Sequence, residues 1–372
     1  MNTTESTTLQ DLGERRIIEE ILRPRYANES PEDFGHDCAI IGDTDEWPGR
    51  IVVATTDPCP EPVASLLGYK DLYYRGWLLA TINLSDLAAT GATPKGLLTS
   101  LILPNDLSVA DLNRLLDGID DCLMANEVRV LGGNIKEGAR IDLTATAIGI
   151  CAKGKALSRK GCRPGDLIVV VGDLGLFWAG VLAVQKHVPL GSYDSELLRN
   201  VLTPSPKVKV GQAIANKGLF TACIDNSDGL YPSLVQLAEI NQCQMLVNLE
   251  NVEFHPAVLH VGSLTAISPV RFSLGWGDWQ LIGCCSPESL DTLLALARDC
   301  DTAAAVIGEV RTGRGVVLSD AGEVKPMAPI DSQRFTKDSW FTVGLDSYIE
   351  ILTQGPLWIS GDDDRQQTSS EE

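Results

Sequence analysis

Five aspartates stand where this chain passes from one element to the next. Asp37 lies in "GHDCAI", Asp57 closes the β-branched run "VVATTD", Asp86 interrupts "NLSDLAATGA", and Asp225 and Asp228 share "CIDNSDGL". Singly, each reads as a cap or turn residue. Together they form a set of hard oxygen donors, for which a shared Mg²⁺, with its octahedral shell of carboxylates, waters and substrate phosphates, is one simple candidate. Asp86 is the most telling, because a carboxylate between Leu84, Leu87 and Ala88 on a largely apolar helix is costly without partners.

"LGGNIKEG" (131–138) adds a different signal. The apolar run "VRVLGG" is expected to stop on Gly132 and Gly133, whose lack of a Cβ lets backbone approach a phosphate. The next side chain, Asn134, offers an amide oxygen, a weaker magnesium ligand than a carboxylate. "GWGDWQL" (275–281) pairs Asp278 with Trp276 and Trp279, which read either as core or as a stacking surface for a planar ring. "VGDLGLFWAG" is a candidate phosphate cradle at a helix N-terminus, and Arg163 in "RPGD" reads as a turn before a strand. No Ser-His-Asp or Cys-His pattern is visible.

The elements that must position these residues follow from periodicity. "LQDLGERRIIEEILRPRY" has a helical repeat. "RIVVATTD" reads as a strand stopped by Pro58 and Pro60, and residues 69–92 as a long buried helix stopped by Gly91 and Pro94. "GLLTSLILP" is a strand, and Ser108 with Asp111 caps the helix that follows. "VRVLGG" and "IDLTATAIGICAKG" are further strands. The basic, Gly- and Pro-punctuated segment 154–166 reads as a domain junction. Beyond it come a strand and helix ("LIVVVGDLGLFWAGVLAVQKH"), the helix "PSPKVKVGQAIANKG", the strand "ACIDNSDG", the helices "LYPSLVQLAEINQ" and "SPESLDTLLALARDC", and the strand "TAAAVIGEVRTG". The expected fold class is α/β (α+β). Residues 10–153 form one α/β domain and 154–335 a second, between a disordered start (1–9) and a C-terminal extension (336–372) with an acidic disordered tail.

Bulk properties narrow the function. The chain has 372 residues, with 30 Lys plus Arg against 50 Asp plus Glu, a net charge of −20. That balance argues against nucleic acid or an anionic membrane as partner and is compatible with divalent cations. The ten Cys contain no CxxC and do not pair with the four His at zinc-ligand spacing. The polar start has no secretory h-region, the most apolar stretch is broken by Asp173 and glycines, and a soluble cytoplasmic protein is expected.

"GHDCAI", "TTD", "GYKDLYYRGWLLATINLSDLAATGATPKGLL", "LGGNIKEG", "GKALSRKGCRPGDLIVVVGDLG", "LTPSPKVKVG" and "IDNSDGL" occur in an order that resembles thiamine-monophosphate kinase, and more distantly the aminoimidazole ribonucleotide synthetase superfamily, over roughly residues 10 to 320. The resemblance implies two α/β domains with ATP and Mg²⁺ in the cleft between them, and a homodimer formed through the first domain's sheet. On matching positions it implies Asp37, Thr56, Asp57, Asp86 and Asp225 as metal ligands. It implies Gly133, Asn134, Arg159, Ser227 and Asp228 at the nucleotide, Asp86, Asp225 and Asp228 at the chemical step, and Asp278 with Trp279 on the side of a small-molecule substrate. The sequence departs from the family at four places. Asn134 replaces the Asp of "GGDT", His36 replaces the first Asp of "GDD", Gly277 replaces the Glu of "GGEDYEL", and "PCPEPVASLLGY" lacks a substrate-side His. Phosphoryl transfer needs positioning and charge neutralisation rather than a covalent nucleophile, so an ATP- and Mg²⁺-dependent phosphotransferase with a small, phosphorylated or heterocyclic acceptor is the leading expectation. An ATP-dependent synthetase or dehydratase that activates an amide or carboxyl oxygen, and a nucleotide binder without catalysis, are the alternatives.

Overall fold

A computed structural model describes residues 16, 19–20, 38–43, 48–189, 191–320, 322–330 and 340–359. Two β-sheets, each with its own helices, build the molecule. The first contains β1 (Ala39–Asp43), β2 (Arg50–Pro58), the short α1 (Val63–Leu66), α2 (Leu72–Thr90), β3 (Thr93–Leu103), α3 (Val109–Ala125), β4 (Val130–Glu137) and β5 (Asp142–Ala152). Its strand order is β1-β2-β5-β3-β4, antiparallel except for the β3–β4 pair. Residues 153–166 carry little regular structure and lead into the second sheet.

The second sheet takes β6 (Leu167–Val171), β7 (Ala222–Asp225), β8 (Gln244–Asn248), β9 (Leu281–Cys285), β10 (Ala304–Arg311), β11 (Gly315–Asp320) and β12 (Glu323–Pro326), in the order β12-β11-β8-β10-β6-β9-β7. Its helices are α4 (Leu176–Gln185), α5 (Asp194–Leu202), α6 (Val208–Lys217), α7 (Leu230–Asn241), α8 (Pro256–Thr265), α9 (Pro269–Phe272), α10 (Leu290–Asp299) and α11 (Trp340–Gln354). The mixed α/β class and the two-sheet build agree with the sequence reading.

Alternation along β2 decides which face of the first sheet is covered. Ile51 and Val53 are buried, and the register places Leu143, Ala145 and Ala147 of β5 and Leu97 of β3 on that same side, under α2 and α3. The opposite face is open: Thr56, Leu98 and Ser100 are exposed, as is every residue of β4. α2 is buried along most of its length because it serves both domains. Asp71 caps its first turn by accepting from the Tyr73 amide, and Gly91 ends it in the left-handed region at φ 71°. On its other side α2 packs against β7 and α6 of the second domain. Gly211 of α6 lies so close that a Cβ there would strike the Ala88 carbonyl oxygen. The α3 cap is as expected, with the Ser108 hydroxyl accepting from the Asp111 amide at 3.0 Å.

One expectation is corrected. The strand does not stop at Gly132 and Gly133 but runs on to Glu137, with Asn134 opposite Ser100 of β3. Gly133 is needed for a different closeness, since a Cβ there would collide with the Thr99 backbone of the neighbouring strand. Asp37, His36 and the N-terminal helical repeat, apart from residues 16, 19 and 20, lie outside the described residues.

Candidate active site

The C-terminal half of α2 meets the ends of β2 and β7, and this is where the acidic residues gather. Asp86 is half-buried and accepts a hydrogen bond from the Thr55 hydroxyl at 2.5 Å, which offsets the cost of a carboxylate on this helix. One turn earlier, the Asn83 amide oxygen accepts from the Asp57 backbone N–H at 3.2 Å and fastens the end of β2 to α2. Ser85 turns to the other domain and donates to Asp225 Oδ2 at 2.6 Å, a bond between residues 140 apart. Asp225 is 4% exposed, and Ser227 donates to its second oxygen at 2.9 Å. Asp86, Asp225 and Ser227 are therefore tied into one seam between the domains, with Asp57 at the end of the strand fastened to α2.

Arg159 and Asp228 form a second group. The Arg159 guanidinium donates to Gln236 Oε1 at 3.0 Å, and Gln236 Nε2 donates to Asp228 Oδ2 at 3.4 Å. Asp228 is exposed at the mouth of the "SDG" loop, just before α7.

Three expected residues sit elsewhere. The Thr56 side chain faces the open side of the sheet, bonded to the Ala145 carbonyl and the Thr146 hydroxyl. Gly133 and Asn134 are on the edge strand β4, three strands from β2, roughly 14 Å along the sheet at the usual strand spacing. Asn134 shares its row with Ser100, Thr144 and Pro58, on the open face, whereas Asp57 lies in the row of buried Ala145. Within one chain, Asn134 and the Asp57–Asp86 pair occupy opposite sides of the sheet.

The tryptophans border a cleft. A narrow cleft lies between the domains, walled by Tyr74 and Leu78 of α2, Phe177 of α4, Pro204, Trp276 and Trp279. Phe177 stands edge-on to Trp279 with ring centres 5.9 Å apart. Pro204 is tied to α2 through its carbonyl, which accepts from Trp77 Nε1 at 2.7 Å and from the Thr81 hydroxyl at 3.0 Å. Gly277 donates its N–H to the Ser227 carbonyl at 2.6 Å, which ties the aromatic loop to the "SDG" loop. Trp279 is held at φ 33°, a strained backbone for a large residue, and its buried indole N–H has no partner among the described residues.

Asp278 lies beneath this wall and is 4% exposed. It accepts from the Gly175 N–H at 2.7 Å at the start of α4, so a protein carboxylate occupies the helix N-terminus that the sequence offered as a phosphate cradle. Burial pushes its carboxyl up to about 7, against the lowering effects of that N–H, Lys207 and Gln280. Sequence reasoning passed over Thr55, Asn83, Ser85, Tyr74 and Phe177, although Ser85 stands inside the quoted "NLSDL".

Comparison with known proteins decides the family. Residues 35–151 match the family described as AIR synthase related protein, N-terminal domain, and residues 163–320 match the C-terminal domain of the same description. The thiamine-monophosphate kinase of Escherichia coli K12 is 32% identical over 256 residues, covering 67% of this chain and 74% of that protein. The chain belongs to the thiamine-monophosphate kinase family. The kinase of the same name from Synechococcus elongatus is 29% identical over 332 residues, 85% of this chain and 95% of the relative. The solved structure "AaThiL complexed with AMPPCP and TMP" superposes with a TM-score of 0.76 at 25% identity, over 89% of this chain and all of that one. The fold is thus the two-domain AIR synthase type, and the protein is an ATP-dependent kinase of the thiamine-phosphate kinase kind. Among the described residues no helix is long and apolar enough to cross a membrane.

Proposed function

We propose that the protein transfers the γ-phosphoryl group of ATP to thiamine monophosphate, with Mg²⁺ bound at the seam between the domains. The observation that carries this is that α2 ties into one seam Asp86, the end of β2 at Asp57 and, through Ser85, Asp225 of the second domain, while a cleft walled by Tyr74, Phe177, Trp276 and Trp279 opens between the same domains. Carboxylates suit a nucleotide's magnesium, and flat aromatic walls suit a heterocyclic acceptor.

The donor set is compatible with that cation. Among the described residues no three His, Cys, Asp or Glu side chains converge into a metal cage. Magnesium carried on a nucleotide needs only one or two carboxylates, with phosphates and waters completing the shell. Asp86 and Asp225 are the residues to hold it, with Asp57 next to them. When bound, it neutralises charge on the β- and γ-phosphates.

In the transfer, the bond from the γ-phosphorus to the β–γ bridging oxygen breaks and an oxygen of the acceptor's phosphate forms the new P–O bond, releasing ADP. A phosphate monoester is largely dianionic near neutral pH, with a second pKa of about 6, so no general base is required. The chain's residues position and shield: Ser85 and Ser227 fix the Asp225 carboxylate, Arg159, Ser227 and Asp228 meet the nucleotide, and Trp279 with Asp278 beneath it shapes the acceptor's wall. Gly133 and Asn134 take no part in this site within one protomer. Their strand supports the homodimer instead, because β4 is an exposed edge bearing Leu131 and Ile135 beside an open sheet face.

The test supplies ATP, Mg²⁺ and thiamine monophosphate and follows ADP together with thiamine diphosphate. Equal amounts of the two products are expected. Protein that binds ATP yet makes no diphosphate would end the acceptor assignment, and ADP released with inorganic phosphate would favour a synthetase. Asp86→Ala should lose Mg²⁺-dependent ATP binding by calorimetry. Unchanged binding would remove the metal assignment.

A further inference from the structure

Three strands of the second sheet end side by side at the domain seam. Val171 of β6 pairs with Leu281 of β9, and Leu281 pairs with Asp225 of β7, so Gly172, Gln280 and Asn226 come together at one edge. The Asn226 N–H donates to the Gln280 carbonyl at 2.7 Å. Both side-chain amides are buried, at 0% and 4% exposure, and both have unmet hydrogen-bonding groups. Neither atom of the Asn226 amide, nor Oε1 of Gln280, has a partner among the described residues. Such orphans are expensive in a closed protein and mark a place where a polar guest belongs.

A lysine reaches the same spot. Lys207 is the residue before α6, three past the Pro204 carbonyl that Trp77 and Thr81 grip from α2. A Cβ placed on Gly172 would lie 2.9 Å from Lys207 Cε and would also run into Gln280 Oε1, so the lysine stem and the orphan amide lie against the same glycine. Its ammonium forms no ion pair or hydrogen bond among the described residues. The charged groups facing it are Asp173 and Asp278 on the acidic side and Arg199 on the basic side. Burial lowers its pKa, and the two carboxylates oppose that fall only in part. A half-buried cation with no ion pair among the described residues has an electrostatic opening for an anion.

The position says which anion. Pro204, three residues before Lys207, and Trp279, just before Gln280, both wall the aromatic cleft, while Asn226 directly follows Asp225. Lys207 therefore lies where the acceptor's cleft meets the carboxylates.

We propose that Lys207 is a catalytic residue whose ammonium binds the phosphoryl group as it passes from ATP to the acceptor. This rests on the transfer reaction proposed above. Negative charge is spread over the phosphoryl oxygens during transfer, and a pre-placed cation in a dry site stabilises it with little reorganisation.

The experiment compares wild type, Lys207→Met and Lys207→Arg in the ATP, Mg²⁺ and thiamine monophosphate assay, with ATP affinity and thermal unfolding measured on the same samples. For Lys207→Met, kcat should fall about 100-fold or more while the Kd for ATP changes less than about threefold, and Lys207→Arg should recover part of kcat. A kcat within about threefold of wild type in Lys207→Met overturns the proposal, and so does a loss of kcat matched by an equal loss of ATP affinity. Reductive methylation read by mass spectrometry decides the matter apart from turnover: Mg²⁺ with ATP should slow labelling of Lys207, and equal labelling with and without them counts against it. An inactive wild type with a protected Lys207 would sink the acceptor assignment and leave the phosphate contact standing.

Discussion

Asp278→Asn offers a quantitative test of the wall beneath the aromatic cleft. The substitution keeps the shape, and the amide oxygen can still accept the Gly175 N–H that Asp278 accepts at 2.7 Å. What it removes is a titration. The carboxyl has an ordinary value of 3.8 and is raised to about 7 in the folded protein, chiefly by burial. A carboxyl whose folded pKa lies above its unfolded one contributes stability that is complete below 3.8 and is lost as the pH rises through 7. At 1.36 kcal/mol per unit, the wild type should lose roughly 2–3 kcal/mol from this group between about pH 5 and about pH 8. The variant has nothing to lose there. Urea unfolding of both proteins across that range should show the variant gaining on the wild type by roughly 2–3 kcal/mol towards the alkaline end. A difference that stays flat within about 0.5 kcal/mol would mean that Asp278 is ionised in the native state throughout, and the account of its burial would be wrong.

Ser85→Ala deletes the hydroxyl that donates across the domain seam to the buried Asp225 carboxylate, and should cost about 1.5–3 kcal/mol in urea unfolding, with weaker Mg²⁺-dependent ATP binding. A loss below about 0.5 kcal/mol would show that Asp225 does not depend on this bond. Gly211→Val drives a branched side chain at the Ala88 carbonyl and must push α2 and α6 apart; about 2 kcal/mol or more of destabilisation is expected, and thermal unfolding equal to wild type would deny the close approach. Leu131→Asp with Ile135→Asp places charges on the exposed edge strand β4 and should turn the proposed dimer into a monomer in light scattering after size exclusion, whereas a monomeric wild type would refute the dimer and an unchanged dimeric mass would refute the β4 contact.

What the sequence revealed and what it hid follow from the range of the interactions. α2 was legible from an apolar run closed by a glycine, and α3 from Ser108 three residues before Asp111, because caps and periodicity are settled within a few residues. The strand at 130–137 was cut short because paired glycines read locally as a stop. Its continuation is decided by pairing with β3, where the Thr99 backbone leaves room for a glycine alone. The start of α4 looked open for a phosphate because the carboxylate that fills it arrives 103 residues later.

The same logic separates the two halves of the candidate site. Asp57 and Asp86 could be nominated from burial cost, since an aspartate in an apolar setting announces that it has partners wherever they come from, whereas Asp225 took its role from the family resemblance. Asn134 could not be placed that way, because its face is set by strand register: one residue's shift would carry it from the open side of the sheet to the side of Asp57. Lys207 was hidden for a third reason. Within "PSPKVKV" it reads as an ordinary solvated lysine at a helix start, and only the meeting of β6, β7 and β9 reveals that its stem lies against Gly172 with the unsatisfied Gln280 amide oxygen. The acidic residues could be read from their own neighbours in the sequence. The cation that balances them depends on tertiary geometry, so the test of the site's chemistry falls on Lys207.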